Sequence, residues 1–141
     1  MLSVTCKIAI KAAVFLASRK HERCSINDIS KHLAASEHTV AKMLQTLVHK
    51  GIINSVKGPN GGFYMTSGQA DLSLMEIVSA IDGDGVFMKC GLGLSKCSAS
   101  RPCPIHNEYK KARDILQALF INRTVSDLCG PVSNGLAYLY G

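Results

Sequence analysis

The sequence predicts a mainly α-helical fold with a small β-hairpin wing: a winged helix-turn-helix followed by a long C-terminal dimerisation helix. Three observations predict it. Two short helical patterns are joined by a tight connection between Ser25 and Lys50, a glycine-rich hairpin signature follows over 52–65, and a separate amphipathic pattern begins after Pro104. The chain has 141 residues and 47% hydrophobic content, enough for one core domain with an extension.

The elements follow in order. From Ser3 to about Ser18, Val4, Ile8, Ala12, Phe15 and Leu16 recur at helical spacing, with Lys7 and Lys11 on another face. Ser25 and Asp28 have the form of a capping box, and Ile26, Ile29 and Leu33 supply the buried face of a short second helix. Ala34 to Ser36 make the connection. Ser36 then caps a longer helix carrying Val40, Met43, Leu44, Leu47 and Val48 on one stripe, closed by Gly51. The β-branched run Ile52, Ile53 and Val56 leads into Lys57-Gly58-Pro59-Asn60-Gly61-Gly62 and on to Phe63, Tyr64 and Met65, a hairpin with a glycine-rich tip. Ser73 with Glu76 has capping-box form, Leu72 can staple onto Ile77, and the helix runs from about Leu74 to Ile81 until Gly83 and Gly85 end it.

Residues 86–103 show no helical period and surround three cysteines with Gly91, Gly93 and several serines, which predicts a loop. Pro104 suits a first helical turn, and Ile105, Tyr109, Ala112, Leu116 and Leu119 recur at four- and three-residue steps over about four turns. Lys110, Lys111, Arg113 and Asp114 occupy the rest of that helix, a pattern that suits packing against both its own domain and a second copy. Thr124 and Asp127 cap a last short turn ahead of Gly130-Pro131. The expected organisation is a winged-helix DNA-binding domain over 1–82, a cysteine-rich cluster-binding loop over 83–104, a dimerisation helix and short cap helix over 105–128, and a tail over 129–141 with no assigned element.

Charge points to a partner. Residues 1–65 hold nine Lys or Arg and three Asp or Glu, and residues 66–141 hold seven of each, so the whole net charge of +6 lies in the first half. A basic surface gains affinity for polyphosphates by counterion release, and the plain alternative is a solvated face. No run of about 18 apolar residues is present, and Lys7 and Lys11 interrupt the N-terminal apolar stretch, so neither a membrane span nor a secretory signal is expected and the protein is read as cytoplasmic. In that reducing setting, cysteines at 6, 24, 90, 97, 103 and 129 suit metal binding or redox sensing better than structural disulfides. Cys24 and Cys129 fit buried small hydrophobes.

The face of the third helix opposite its apolar stripe carries Glu37, His38, Lys42, Gln45 and His49, with Thr39 near its start. A recognition helix enters the major groove N-terminus first, so Ser36, Glu37, His38, Thr39 and Lys42 are placed to meet bases and phosphates. The hairpin tip, Lys57, Gly58, Pro59, Asn60, Gly61 and Gly62, adds a cation and close backbone approach to phosphate. Further along, Cys90-x6-Cys97-x5-Cys103 puts three thiols on one loop, and soft thiolates favour iron-sulfur clusters, zinc or copper(I). Three ligands leave such a site one short, and His106 lies three residues after Cys103 at the opening of the long helix.

The order Leu47, Lys50-Gly51-Ile52-Ile53-Asn54-Ser55, Lys57-Gly58-Pro59-Asn60-Gly61-Gly62-Phe63, then Leu74, Glu76, Ile77 and the three cysteines, resembles the Rrf-two (Rrf2) family of bacterial regulators, from the first helix to about Leu128. The resemblance implies a homodimeric winged-helix regulator of a two-fold-symmetric operator in double-stranded DNA, tuned by an iron-sulfur cluster, in a family whose members respond to cluster supply, nitric oxide, redox state or cysteine metabolism. In IscR-like members a histidine at the place of His106 completes a 2Fe-2S site with three cysteines, which implies Cys90, Cys97, Cys103 and His106 as the metal ligands here. A 4Fe-4S centre is the other cluster type in the family. Two positions depart from the IscR-like pattern: the first spacing is six residues rather than five, and Tyr109 stands where many members have Trp. NsrR-like members take a carboxylate from the partner's first helix, but position 8 is Ile8 and Cys6 is the nearby candidate.

Other readings use the same residues. Zinc could occupy the thiols, although the paired C-x2-C spacing of structural zinc is missing. A regulator without cofactor could switch by disulfide formation, and a winged helix used only for protein contacts would bind DNA no better than its charge dictates. An enzyme is not expected, because no Cys-x-x-Cys pair, phosphate loop or nucleophile-base arrangement is present.

Overall fold

The computed structural model describes residues 1–140; Gly141, the last residue of the predicted tail, lies outside them. Helix α1 (Val4–Ser18) starts where the Ser3 hydroxyl accepts from the Cys6 amide, and it is the central strut of the molecule. Cys6, Ala9, Ile10 and the run Ala12 to Leu16 are all buried, so burial extends well beyond the single apolar face predicted. The small residues Ala9, Ala12 and Ala13 let neighbouring helices approach on several sides. Val4, predicted on the buried face, is instead 72% exposed, because it precedes the first packed turn.

Helix α2 (Ile26–Leu33) opens with the predicted reciprocal cap between Ser25 and Asp28 and ends at Ala34 in the left-handed region. Helix α3 (Glu37–His49) is capped by Ser36 and buries Val40, Met43, Leu44 and Leu47 of the predicted stripe, with Val48 half-buried. Gly51 follows with a φ of +74°. Ile52 and Ile53 are not strand residues as expected. They plug the core at 2% and 1% exposure, and pairing begins only at β1 (Asn54–Val56). It joins β2 (Gly62–Tyr64) in an antiparallel hairpin with Asn54 opposite Tyr64 and Val56 opposite Gly62.

Cys24 pairs with Phe63 on the hairpin's other edge, its amide donating to Phe63 O at 2.9 Å and its carbonyl accepting from the Phe63 amide at 2.8 Å. That pairing makes Gly62 obligatory. A Cβ there would stand 2.7 Å from Cys24 O, and its φ of +147° disfavours any side chain. Gly62→Ala is therefore expected to destabilise the protein by about 1–3 kcal/mol. A chemical denaturation curve unchanged from that of the parent would contradict this account of the wing.

Helix α4 (Ser67–Ala70) was not predicted, although Thr66 and Gln69 form a reciprocal cap. Gln69 also donates to Gly51 O and exchanges hydrogen bonds with Asn54, anchoring the base of the wing. Helix α5 (Leu74–Asp82) follows without the predicted capping box, since the Ser73 side chain makes no cap. Ser73 is drawn instead into a backbone bridge with Thr124, and the Leu74 amide donates to Arg123 O at 2.8 Å. A single 3-10 turn (Asp84–Phe87) buries Phe87, whose ring meets Phe120 at 5.5 Å.

The long helix α6 (His106–Asn122) begins after Pro104 and Ile105, which form the preceding turn. It contains no fully buried residue. Leu116 and Phe120 lean on the core, whereas Ile115 and Leu119 are 71% and 49% exposed. Helix α7 (Val125–Ser133) has the predicted Thr124–Asp127 cap but runs on through Pro131, where a stop was expected. The missing Pro131 amide removes one helical hydrogen bond, and packing of α7 against α1 compensates. The tail then returns to the domain: Tyr140 donates to Lys11 O at 3.1 Å and sets its ring edge-on to His32 at 4.3 Å.

Candidate DNA-reading face and cysteine cluster

The candidate reading face is built by α3 and the wing. Ser36 holds the start of α3 twice, accepting from the Thr39 amide at 3.2 Å and donating to the Thr39 hydroxyl at 2.9 Å. Thr39 is thus half-buried and engaged, while Glu37, His38 and Lys42 stand exposed along the same helix. Lys57, Gly58, Pro59 and Asn60 are exposed at the wing tip. Gly61 and Gly62 serve the fold. The Gly61 amide donates to Gly58 O at 2.9 Å, and a Cβ on Gly61 would fall within the Val56 carbonyl. The Gly61 amide is thus engaged within the tip, and Lys57 to Asn60 are its exposed residues. Arg23, which sequence reasoning did not single out, donates to Asn60 O at 3.3 Å and fastens the tip to the loop before α2.

The cysteine loop runs from the 3-10 turn to α6 and brings Cys90, Cys97 and Cys103 together, their sulfurs all within 4.8 Å of one another. Cys90 Sγ lies 3.7 Å from Cys103 Sγ, and Cys97 Sγ lies 3.2 Å from His106 Nδ1. All six cysteines are free thiols. The loop turns amides toward sulfur: Leu92 N donates to Cys90 at 3.4 Å and Cys103 N donates to Cys97 at 3.4 Å. Hydrogen bonds from the amides of Leu94 and Leu92 bring the Cys90 thiol down to about 7, near the point of half ionisation at neutral pH. Burial pushes Cys103 the other way.

Three further residues hold this loop. A Cβ on Gly91 would stand 2.6 Å from the Tyr109 ring, so the glycine lets the loop lie flat on that ring. Arg113 sits 5.6 Å from the same ring and donates to Lys89 O at 2.6 Å, just ahead of Cys90. The spacing of Tyr109 and Arg113, one helical turn apart, was the only sequence trace of this support. Cys6 lies in the core with no exposed surface, its thiol pushed up to about 12 by burial and by Asp82. It is therefore removed as a fourth ligand from a neighbouring chain. Cys24 is buried as expected, and Cys129 is half-buried against α1.

Comparison with known proteins gives a consistent picture. The profile of the Rrf2 family, described as iron-dependent transcriptional regulators, matches residues 2–131. An HTH-type transcriptional regulator of Aquifex aeolicus is 27% identical over 130 residues, covering 91% of this chain and 90% of that protein. The HTH-type transcriptional regulator IscR of Escherichia coli is 26% identical over 101 residues, covering 72% of this chain and 62% of IscR. Among solved structures, CymR, the global cysteine regulator of B. subtilis, superposes with a TM-score of 0.74 at 19% identity, covering 92% of this chain and 95% of CymR. That last likeness is one of fold.

Proposed function

Because the chain belongs to the Rrf2 family of transcriptional regulators, we propose that it acts as a cytoplasmic homodimer that binds a two-fold-symmetric operator and senses redox state, nitric oxide or iron-sulfur supply through a cluster on Cys90, Cys97, Cys103 and His106. The observation that carries the sensing half is the convergence of three thiols within 4.8 Å, with an imidazole nitrogen 3.2 Å from one of them. This donor set fits an iron-sulfur centre. The three mutually clustered donors are soft sulfurs with no carboxylate among them, and His106, whose Nδ1 lies against Cys97 Sγ without joining that cluster, is the proposed fourth ligand. A 2Fe-2S centre matches the IscR-like ligand pattern, and 4Fe-4S is the alternative type. Such a group supplies reversible one-electron chemistry and a target for nitric oxide or oxygen.

The protein's own residues convert ligation into geometry. His106 is the first residue of α6, whereas Cys90 and Cys97 lie on the loop that leaves the winged domain. Engaging all four fixes the start of α6 against that domain. If α6 pairs with its copy in a partner, this angle sets the separation of the two α3 helices, and half-site spacing is a geometric requirement of dimeric readers. Among the described residues, no helix is long and apolar enough to cross a membrane.

The proposal is tested by selecting an operator from random duplex DNA with anaerobically purified protein and measuring its affinity before and after treatment with nitric oxide, an oxidant or an iron chelator. A two-fold-symmetric site whose affinity changes with treatment supports it; a site bound equally in both states removes the sensing claim. In the same assay, Lys57→Ala is expected to weaken binding across all sequences and to lower the salt slope by about one. A change in base preference instead would place Lys57 at a base edge.

One observation favours a second reading: Cys90 and Cys103 lie 3.7 Å apart, close enough to form a disulfide after modest movement. A cofactor-free thiol switch would give a colourless protein carrying that bond after oxidation. Zinc on the same donors would also be colourless, but it would protect the thiols.

A further inference from the structure

The recognition helix begins with a carboxylate that the preceding helix holds in place. Glu37 is the first residue of α3, and its Oε1 accepts from Asn27 Nδ2 at 2.7 Å. Asn27 is the second residue of α2, in the turn fixed by the Ser25–Asp28 reciprocal cap. Both side chains are exposed, so neither is there to fill the core. A charge-assisted hydrogen bond of this length restrains a side chain that would otherwise sample several rotamers. It occupies one carboxylate oxygen and leaves the other to accept.

A negative charge at the leading end of a helix bound for the major groove is repelled by phosphate. The helix N-terminus itself favours such a charge, but from DNA it gains only against a base edge that donates without an acceptor beside it. Cytosine presents its N4 amine alone, adenine sets N7 beside its N6 amine, and guanine and thymine present acceptors. We propose that Glu37 reads a cytosine in each half-site and that Asn27 is the residue that positions it. The inference rests on the reading of α3 as a recognition helix and adds to it a base and a positioning residue.

The test uses the full-length protein and a duplex library with randomised half-sites at fixed salt, comparing the parent with Glu37→Gln, Asn27→Ala and Asn27→Gln. The parent is expected to enrich cytosine at one position of each half-site by at least about five-fold over the next base. Glu37→Gln is expected to shift that position to adenine, whose N6 and N7 suit an amide. Asn27→Ala is expected to lower the cytosine preference by about three-fold or more while leaving affinity for random DNA within about two-fold, because a loose carboxylate still repels phosphate but no longer aims at one base. Asn27→Gln, which keeps the donor, restores part of the preference. The proposal is overturned if Glu37→Gln selects the same base as the parent, or if Asn27→Ala keeps the full preference. A parent that selects no sequence at all would overturn the DNA-reading role itself, a distinct outcome. Glu37→Gln alters only an exposed polar group, so the test stands even if an Asn27 variant folds poorly.

Discussion

Cys97→Ser, purified without oxygen, is expected to lose the visible chromophore and to hold at least about ten-fold less iron than the parent, since even outer contacts to metal ligands alter affinity by 10–100-fold. Cys97 is the hub of the site. Its sulfur lies 3.2 Å from His106 Nδ1 and receives the Cys103 amide at 3.4 Å, so its loss removes one donor and loosens two others. The winged domain should be untouched, because Cys97 lies outside the hydrophobic core. Thermal stability of the metal-free forms should agree to within about 1 kcal/mol, as for other substitutions away from packed groups. Cys24→Ser is the matched control, a buried cysteine on the hairpin edge that should keep full iron. Iron and sulfide assays on the three proteins check the prediction, and a Cys97→Ser protein with parental iron content would contradict it.

The second large effect is expected on α6. Ile115 and Leu119 lie one turn apart and stay 71% and 49% exposed, although the helix carrying them has no fully buried residue. Burying the exposed parts of these two side chains from each of two copies would contribute on the order of 4–7 kcal/mol. Ile115→Asp with Leu119→Asp is therefore expected to yield a monomer at micromolar concentration by analytical ultracentrifugation. Operator affinity should fall by about 100-fold or more as the second half-site is lost. A double variant that remains dimeric would place the dimer contact elsewhere, with the exposed Leu136 and Tyr138 of the tail as the next surface to alter.

The parts of the fold legible in the sequence are those set by local chemistry. The caps at Ser25, Ser36 and Thr124 depend on residues within three positions, and all three form. Ser73 with Glu76 has the same pattern and does not cap, because the backbone there pairs with Thr124 from a distant part of the chain. Thr66 with Gln69 caps a helix of one turn that no periodicity could reveal. Gly130-Pro131 reads locally as a stop, yet α7 continues through it because its packing partner, α1, lies more than a hundred residues away in sequence. In the cysteine cluster, spacing alone indicates that three thiols share one loop. What shapes that loop, Gly91 on the Tyr109 ring and Arg113 on Lys89 O, arises from contacts across it and was not legible. The proposed reading face divides the same way: helical periodicity places Glu37, His38 and Lys42, but the Asn27 bond to Glu37 and the engaged amide of Gly61 exist only once α2, α3 and the wing are packed.

Cluster sensing requires that Cys90, Cys97, Cys103 and His106 hold iron and sulfide. The most direct measurement is the visible absorption spectrum of the parent protein purified without oxygen, taken together with its iron and acid-labile sulfide content per chain. A cluster on these ligands gives a coloured protein with iron and sulfide in equal amounts, about two of each for a 2Fe-2S centre. A colourless protein that contains zinc, or that takes up no iron and sulfide on anaerobic reconstitution, would contradict cluster sensing.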